Sequence, residues 1–185
     1  MANFETLKED IKILVEELGE TEITSDIDFI QILIDKWSST LANYLSTVVL
    51  VPANILANYN SEAEEDETDS IDSSPPNPAF LKSAIAGGLV LVPGFGLPIP
   101  GSFLLYLLNG IDAGHLAIAG KAATEGITAI PPVAFRPATE SVLSGLLSII
   151  PGDDDVQIQN ISIAIDSYTK LGTWTLPNGA TGNWS

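Results

Sequence analysis

The chain has 185 residues, of which 45% are hydrophobic, so it holds enough apolar side chain to build a packed core. Its 24 acidic residues outnumber 7 basic ones, and the formal charge of −17 argues against binding nucleic-acid phosphates or an anionic membrane surface. Cysteine is absent, which excludes disulfides, thiolate nucleophiles and zinc–thiolate sites. The charge serves solubility or complements a basic partner.

Two amphipathic helical patterns lie in the first 60 residues. Residues 3–18 repeat apolar side chains at steps of three and four, and residues 27–48 do the same after the N-cap types Thr24, Ser25 and Asp26. This spacing predicts a helical hairpin. The second stripe is wider than one partner helix covers, so we expect it to contact two surfaces, one of which can belong to another chain. Residues 1–10 show no basic region before an apolar core, and we expect no signal peptide.

A helix that ends in tyrosine and is followed by an extended stretch closed by proline occurs twice. The first copy covers residues 30–44 and 48–52, and the second covers residues 158–168 and 172–177. Residues 48–52 are β-branched and short, so they need a sheet partner from this chain or a neighbour. Neither copy contains a recognisable catalytic constellation, which favours a docking function.

The middle of the chain is interrupted. Residues 61–79 combine an acidic run with several prolines and predict an exposed linker or loop. Carboxylates there are possible calcium ligands, but the EF-hand spacing and its central glycine are missing.

Residues 83–111 carry no charge, which raises the possibility of a membrane segment. Eight glycines and prolines interrupt residues 87–101 and leave no continuous spanning helix. We therefore predict a helix near 78–86, an irregular apolar contact loop over 87–101 and a short helix over 102–109.

The remainder is predicted to be largely helical. Residues 110–136 are rich in glycine and alanine and favour close helix packing. A further helix opens at Pro137 with Val142, Leu146 and Ile149 as its apolar face, and Asp153–155 precede a last helix whose apolar side chains are Ile158, Ile161, Ile165 and Tyr168. Residues 173–185 predict an extended tail that can leave the globule.

Few residues are candidates for catalysis or ligand binding. His115 is the only histidine, with Asp112 and Glu125 as possible acidic partners for acid–base catalysis, and no nucleophile stands out beside it. Arg136 is the only arginine, and a local salt bridge is its better interpretation. The glycine-rich stretch over residues 94–101 lacks the Gly-Lys-Ser/Thr of a phosphate loop. We expect no cofactor and no metal.

The stretch Ile163-Ala-Ile-Asp-Ser-Tyr168, followed by Gly172-Thr-Trp-Thr-Leu-Pro177, resembles small virion proteins of tailed, contractile bacteriophages. The Leu41-Ala-Asn-Tyr44 stretch that runs on to Pro52 looks like a degenerate second copy. The resemblance covers some 30 to 50 residues. It implies assembly rather than catalysis, and it assigns no position among capsid, neck, tail and baseplate.

The sequence thus predicts a mainly α protein: residues 1–60 as a helical hairpin with an extended segment, 61–79 as a linker or loop, and 80–185 as a helical second half with an extended tail. We expect it to bind other virion proteins and copies of itself, in a virion assembled in the host cytoplasm. A membrane-associated protein using residues 83–111 and an enzyme centred on His115 are the alternatives. The predicted interface residues are Trp37, Tyr44, Val49, Val51, Phe95, Leu97, Tyr168, Trp174 and Leu176.

Overall fold

The computed structural model describes residues 4–20, 26–52, 55, 71–72, 78–88, 102–147 and 154–185. Of the residues that can be interpreted, 74% are helical, which confirms the mainly α prediction. The six helices of these ranges are α1 (Phe4–Glu20), α2 (Asp26–Leu45), α3 (Pro78–Gly88), α4 (Ser102–Thr124), α5 (Arg136–Leu147) and α6 (Asp154–Thr169). A 3₁₀ turn, Pro132–Phe135, leads into α5.

Two small antiparallel sheets accompany the helices. In the first, β1 (Val49–Val51) pairs with β2 (Ile71–Asp72). In the second, β4 (Thr173–Thr175) lies between β3 (Thr128–Ile130) and β5 (Thr181–Asn183). The sheet partner expected for residues 48–52 is therefore β2 of the same chain, which lies within the predicted 61–79 linker.

Helices α1 and α2 pack against each other, as the hairpin prediction requires. The α1 stripe Leu7, Ile11 and Leu14 is buried, since residues three and four apart share one helical face. The wide apolar surface of α2 also contacts α3 and α4. This chain therefore supplies the second surface that the width of the α2 stripe predicts.

The predicted helix beginning at residue 102 is confirmed, but its predicted end at residue 109 is wrong, because α4 spans 23 residues from Ser102 to Thr124. Glycine normally weakens a helix, but here Gly110 and Gly114 let neighbouring helices approach α4 closely. A Cβ at Gly110 would lie 2.6 Å from Ile85 Cγ1, and one at Gly114 would lie 2.3 Å from Leu45 Cδ1. Burial against α3 and α2 therefore outweighs the low helix propensity of these positions.

The C-terminal tail does not leave the globule. It forms the β4–β5 hairpin, and Trp184 is 1% exposed. The amide of Val49 donates to the carbonyl of Ser185 at 2.7 Å, and the amide of Ser185 donates to the carbonyl of Val49 at 3.0 Å. These bonds attach the end of the second half to the strand of the first half. Buried side chains from both halves form one hydrophobic cluster.

Candidate functional site

An apolar groove runs between α5 and α6 at the surface. Its volume is about 400 Å³, and all nine described side chains that line it are uncharged. Val142 on α5 and Ile163 and Leu171 on the α6 side are 53%, 43% and 40% exposed, respectively. An exposed apolar surface of this kind marks an interaction site more often than an isolated exposed leucine does. The remaining lining residues are Ala138, Thr139, Asn160, Ala164, Ser167 and Tyr168.

The apolar spacing of α5 does not reveal this groove, because it predicts Val142 on the buried face of the helix. The structure buries Thr139 and Leu143 instead and leaves Val142 at the surface. A signal was present in α6: Asn160, Ile163 and Ser167 follow one another at steps of three and four without any charge. In a chain with 24 acidic residues, an uncharged helical stripe on the face opposite Ile158 and Ile165 points to a second contact surface.

The predicted interface residues lie mostly inside the chain. Val49 is half-buried, Phe95 and Leu97 lie outside the described residues, and six side chains are at most 6% exposed: Trp37, Tyr44, Val51, Tyr168, Trp174 and Leu176. These six are packed against other parts of the same chain. The exposed apolar side chains of the groove, Val142, Ile163 and Leu171, are not among the predicted interface residues.

A buried polar cluster fixes the inner wall of the groove. The Tyr168 hydroxyl donates to Asp112 Oδ1 at 2.6 Å, and Arg136 Nη1 donates to Asp112 Oδ2 at 2.6 Å. Arg136 Nε donates to Glu140 at 2.7 Å, which confirms the predicted salt bridge. Burial and the hydrogen bond to Asp112 raise the pKa of Tyr168, so its hydroxyl keeps its proton and remains a donor. The cluster connects α4, α5 and α6.

A second cluster connects α2 to α6. The Tyr44 hydroxyl donates to Asp166 Oδ1 at 3.0 Å, and Lys170 Nζ lies 2.8 Å from Asp166 Oδ2. Burial, together with the charge of Asp166, raises the pKa of Tyr44. Each repeated tyrosine therefore anchors its helix end to an aspartate on a different helix, which orients α6 from both sides.

His115 is a neutral core residue. Its Nε2 lies 3.0 Å from Thr169 Oγ1, whose own proton is donated to the carbonyl of Ile165 at 3.0 Å. A hydroxyl has one proton, so when Thr169 donates it to Ile165, Nε2 of His115 is the donor and Nδ1 carries the lone pair. Within the described part of the chain, Nδ1 is a buried polar atom without a hydrogen-bond partner. Burial lowers the pKa of His115 to about 3.

This burial predicts a pH-dependent stability. The folded pKa of about 3 is below the ordinary 6.5, so between these values the unfolded chain binds more protons and stability falls as pH falls. From pH 7 to pH 5 we expect His115 to reduce the free energy of unfolding by about 2 kcal/mol, before most carboxylates titrate. Urea unfolding at both pH values, compared with His115→Gln, measures this loss. Equal losses in the two proteins would contradict it.

The two repeated units share the same turn geometry. In each unit, the amide two residues after the tyrosine donates to the carbonyl two residues before the tyrosine. The amide three residues after the tyrosine donates to the carbonyl of the tyrosine itself. The amide four residues after the tyrosine donates to the carbonyl of the residue that follows the tyrosine, and the strand then begins. The repeat seen in the sequence is therefore a repeat of backbone structure around Tyr44 and Tyr168.

The second copy differs at Gly172, where the first copy has Val48. The ring of Trp184 lies against Gly172, so that an added Cβ would be 2.3 Å from Trp184 Cδ2. Trp184 Nε1 also donates to the carbonyl of Thr173 at 3.1 Å, and the ring meets His115 edge-on with centroids 5.6 Å apart. The indole thus joins the C-terminal hairpin to α4.

Replacing Gly172 by alanine should lower the free energy of unfolding by about 2 kcal/mol, because the rigid indole has to move. The matched control is Gly120→Ala on α4, where nothing lies within 4 Å of the new Cβ. That substitution should stabilise the protein by up to about 1 kcal/mol, because alanine favours the helix. Urea denaturation gives the free energy of unfolding of both variants. If Gly172→Ala stabilises the protein, the ring of Trp184 is not held against the glycine.

The candidate catalytic groups are each engaged by other side chains. His115 is bonded to Thr169, whereas Asp112 is engaged by Tyr168 and Arg136, and Glu125 pairs with Lys121 at the surface. Among the described residues there is no cluster of three or more potential metal ligands. Within those same ranges, no helix has the length and apolar content needed to cross a bilayer. Of residues 61–72, only Ile71 and Asp72 are described, so the possible calcium ligands at 61–70 lie outside the described residues.

None of the protein-family models, curated proteins or solved structures compared with this chain matches it.

Proposed function

We propose that the protein is a structural subunit of a bacteriophage virion, and that it acts by binding neighbouring proteins of the particle. The observation that carries this proposal is the uncharged groove between α5 and α6, exposed on a chain whose formal charge is −17. The bacteriophage class comes from the resemblance around Tyr168 and Trp174.

The internal structure supports an assembly function. Tyr44 and Tyr168 hold the two sides of α6 through Asp166 and Asp112, so the groove has a preformed wall. A preformed surface loses less conformational entropy on binding than one that must order itself. The partners are other virion proteins and further copies of this chain, in a particle assembled in the host cytoplasm.

Two measurements test the proposal. In the first, particles of the bacteriophage that carries the gene are purified on a density gradient and probed for peptides of this chain. The proposal expects the chain at a fixed copy number per particle, and its absence from intact particles would refute a structural role. Cryo-electron microscopy of the same particles then assigns it to capsid, neck, tail or baseplate.

In the second measurement, light scattering at several concentrations gives the mass of the purified chain in solution. A defined oligomer or concentration-dependent assembly supports contacts between copies. A stable monomer restricts the proposal to contacts with other virion proteins.

A further inference from the structure

We propose that Asn178 is a site of spontaneous deamidation in the folded protein, and that the isoaspartate formed there loosens the C-terminal hairpin. The reaction needs only water, so it is independent of the proposed virion function. It adds one negative charge to a chain whose formal charge is already −17.

Asn178 and Gly179 lie at the tip of the β4–β5 hairpin. The amide of Gly179 donates to the carbonyl of Leu176 at 2.9 Å, and the amide of Leu176 donates to the carbonyl of Ala180 at 2.8 Å. Gly179 has a φ of +88°, so residues 177–179 form a tight loop in which a turn is followed by a left-handed glycine. Asn178 and Gly179 are both exposed, and water therefore reaches the asparagine side chain.

An asparagine that precedes glycine can close a ring onto the next backbone nitrogen. Glycine has no Cβ to obstruct the approach, and nothing lies within 4 Å of the position that a Cβ of Gly179 would take. The Gly179 nitrogen attacks Cγ of Asn178, so that an N–Cγ bond forms and the Cγ–Nδ2 bond breaks. The amide proton of Gly179 leaves with Nδ2 as ammonia, and a cyclic imide remains. Water then opens the ring at either carbonyl and gives aspartate or isoaspartate.

One backbone amide is already placed to assist this attack. The amide of Ala180 donates to Oδ1 of Asn178 at 3.0 Å. Negative charge develops on Oδ1 when the Gly179 nitrogen adds to Cγ, and a donor aimed at that atom stabilises the transition state. The opposing contact is the single hydrogen bond from Gly179 to Leu176, which lies in an exposed turn and opens at small cost.

The chain carries a second Asn-Gly pair that the fold protects. Asn109 and Gly110 lie inside α4, and Gly110 is buried against Ile85. A helix holds its backbone amides in a continuous hydrogen-bonded ladder, so ring closure at Asn109 has to wait until the helix opens. The dipeptide is the same at both places, and only the tertiary structure distinguishes their reactivity.

Isoaspartate alters the loop that closes the hairpin. It routes the main chain through the former side chain and so adds one methylene to residues 177–179. Since loop length selects the turn of a hairpin, the pairing of Trp174 with Gly182 no longer fits the loop. The same hairpin positions the buried Trp184, so a disturbed register weakens the closure of the core.

The test incubates the intact folded chain at mildly alkaline pH, digests it at acidic pH and follows the peptides of Asn178 and Asn109 by mass spectrometry. We expect the amide-to-acid mass shift to accumulate roughly a hundredfold faster at Asn178, because opening a core helix costs far more than opening an exposed turn. In urea the two rates should converge. Equal rates in the folded chain, or modification of Asn178 in urea alone, would overturn the proposal.

Asn178→Asp is the matched control for the effect on the hairpin, because it carries the same added charge without the extra methylene. Ion exchange isolates the deamidated chain by that charge, and we expect its isoaspartate form to unfold at a lower urea concentration than Asn178→Asp. Identical unfolding of the two proteins would show that the closure of the hairpin tolerates the longer loop, and the loosening would then be refuted.

Discussion

Replacing Trp184 by alanine should lower the free energy of unfolding by about 4 kcal/mol. The side chain is 1% exposed, so its removal loses buried apolar surface and leaves a cavity beside Gly172 and His115. The carbonyl of Thr173 also loses the indole N–H that donates to it. A loss of this size is a large fraction of the stability of an ordinary domain. Urea denaturation followed by far-ultraviolet circular dichroism measures it.

Trp184→Phe separates the two contributions of the indole. Phenylalanine keeps most of the apolar ring but cannot donate to Thr173, so we expect a smaller loss of about 1 to 2 kcal/mol. If Trp184→Ala unfolds the chain completely, the phenylalanine variant still gives a measurable value. A loss below about 1 kcal/mol for alanine would mean that the C-terminal hairpin does not close the core.

Replacing Asp112 by alanine should lower the free energy of unfolding by about 3 kcal/mol, because the Tyr168 hydroxyl and one side of Arg136 lose their acceptor together. The value lies at the lower end of the range for broken buried ion pairs, since Arg136 is 26% exposed and keeps its bond to Glu140. Thermal and urea unfolding at neutral pH test this.

Tyr168→Phe provides the control for Asp112. It removes one donor while Asp112 keeps Arg136, so we expect a loss of about 1 kcal/mol. In the double variant the two losses should be less than additive, because the alanine variant has already removed the bond between these two residues. Strict additivity would show that Tyr168 and Asp112 are not energetically coupled.

The helices were predictable where a single apolar stripe decides the structure. The face of α1 and the Ile158, Ile165 and Tyr168 face of α6 follow directly from their spacing, since those side chains can be buried only together. The prediction failed at α4, where Gly110 reads as a breaker in isolation. Its close contact with Ile85 stabilises the helix, and that contact depends on residues distant in sequence.

The candidate site was predictable only in part. The repeat around Tyr44 and Tyr168 correctly marked two special positions, but their side chains bond to Asp166 and Asp112 inside the chain. An aromatic side chain looks the same in a sequence whether it covers its own core or a neighbour's surface. The groove was missed for a related reason: Val142 and Leu143 are equally apolar neighbours, and only the packing of α5 on α4 and α6 decides which one is buried.

The sequence by itself determined the mainly α class, the two helix–turn–strand units and the strongly acidic surface, because these depend on residues close together in the chain or on composition alone. The tertiary structure decided that α4 is continuous, that Trp184 closes the core and that an uncharged groove stays open between α5 and α6. Each of these outcomes depends on which distant surfaces meet, and the free energy of burying them outweighs the local preferences that a sequence pattern records.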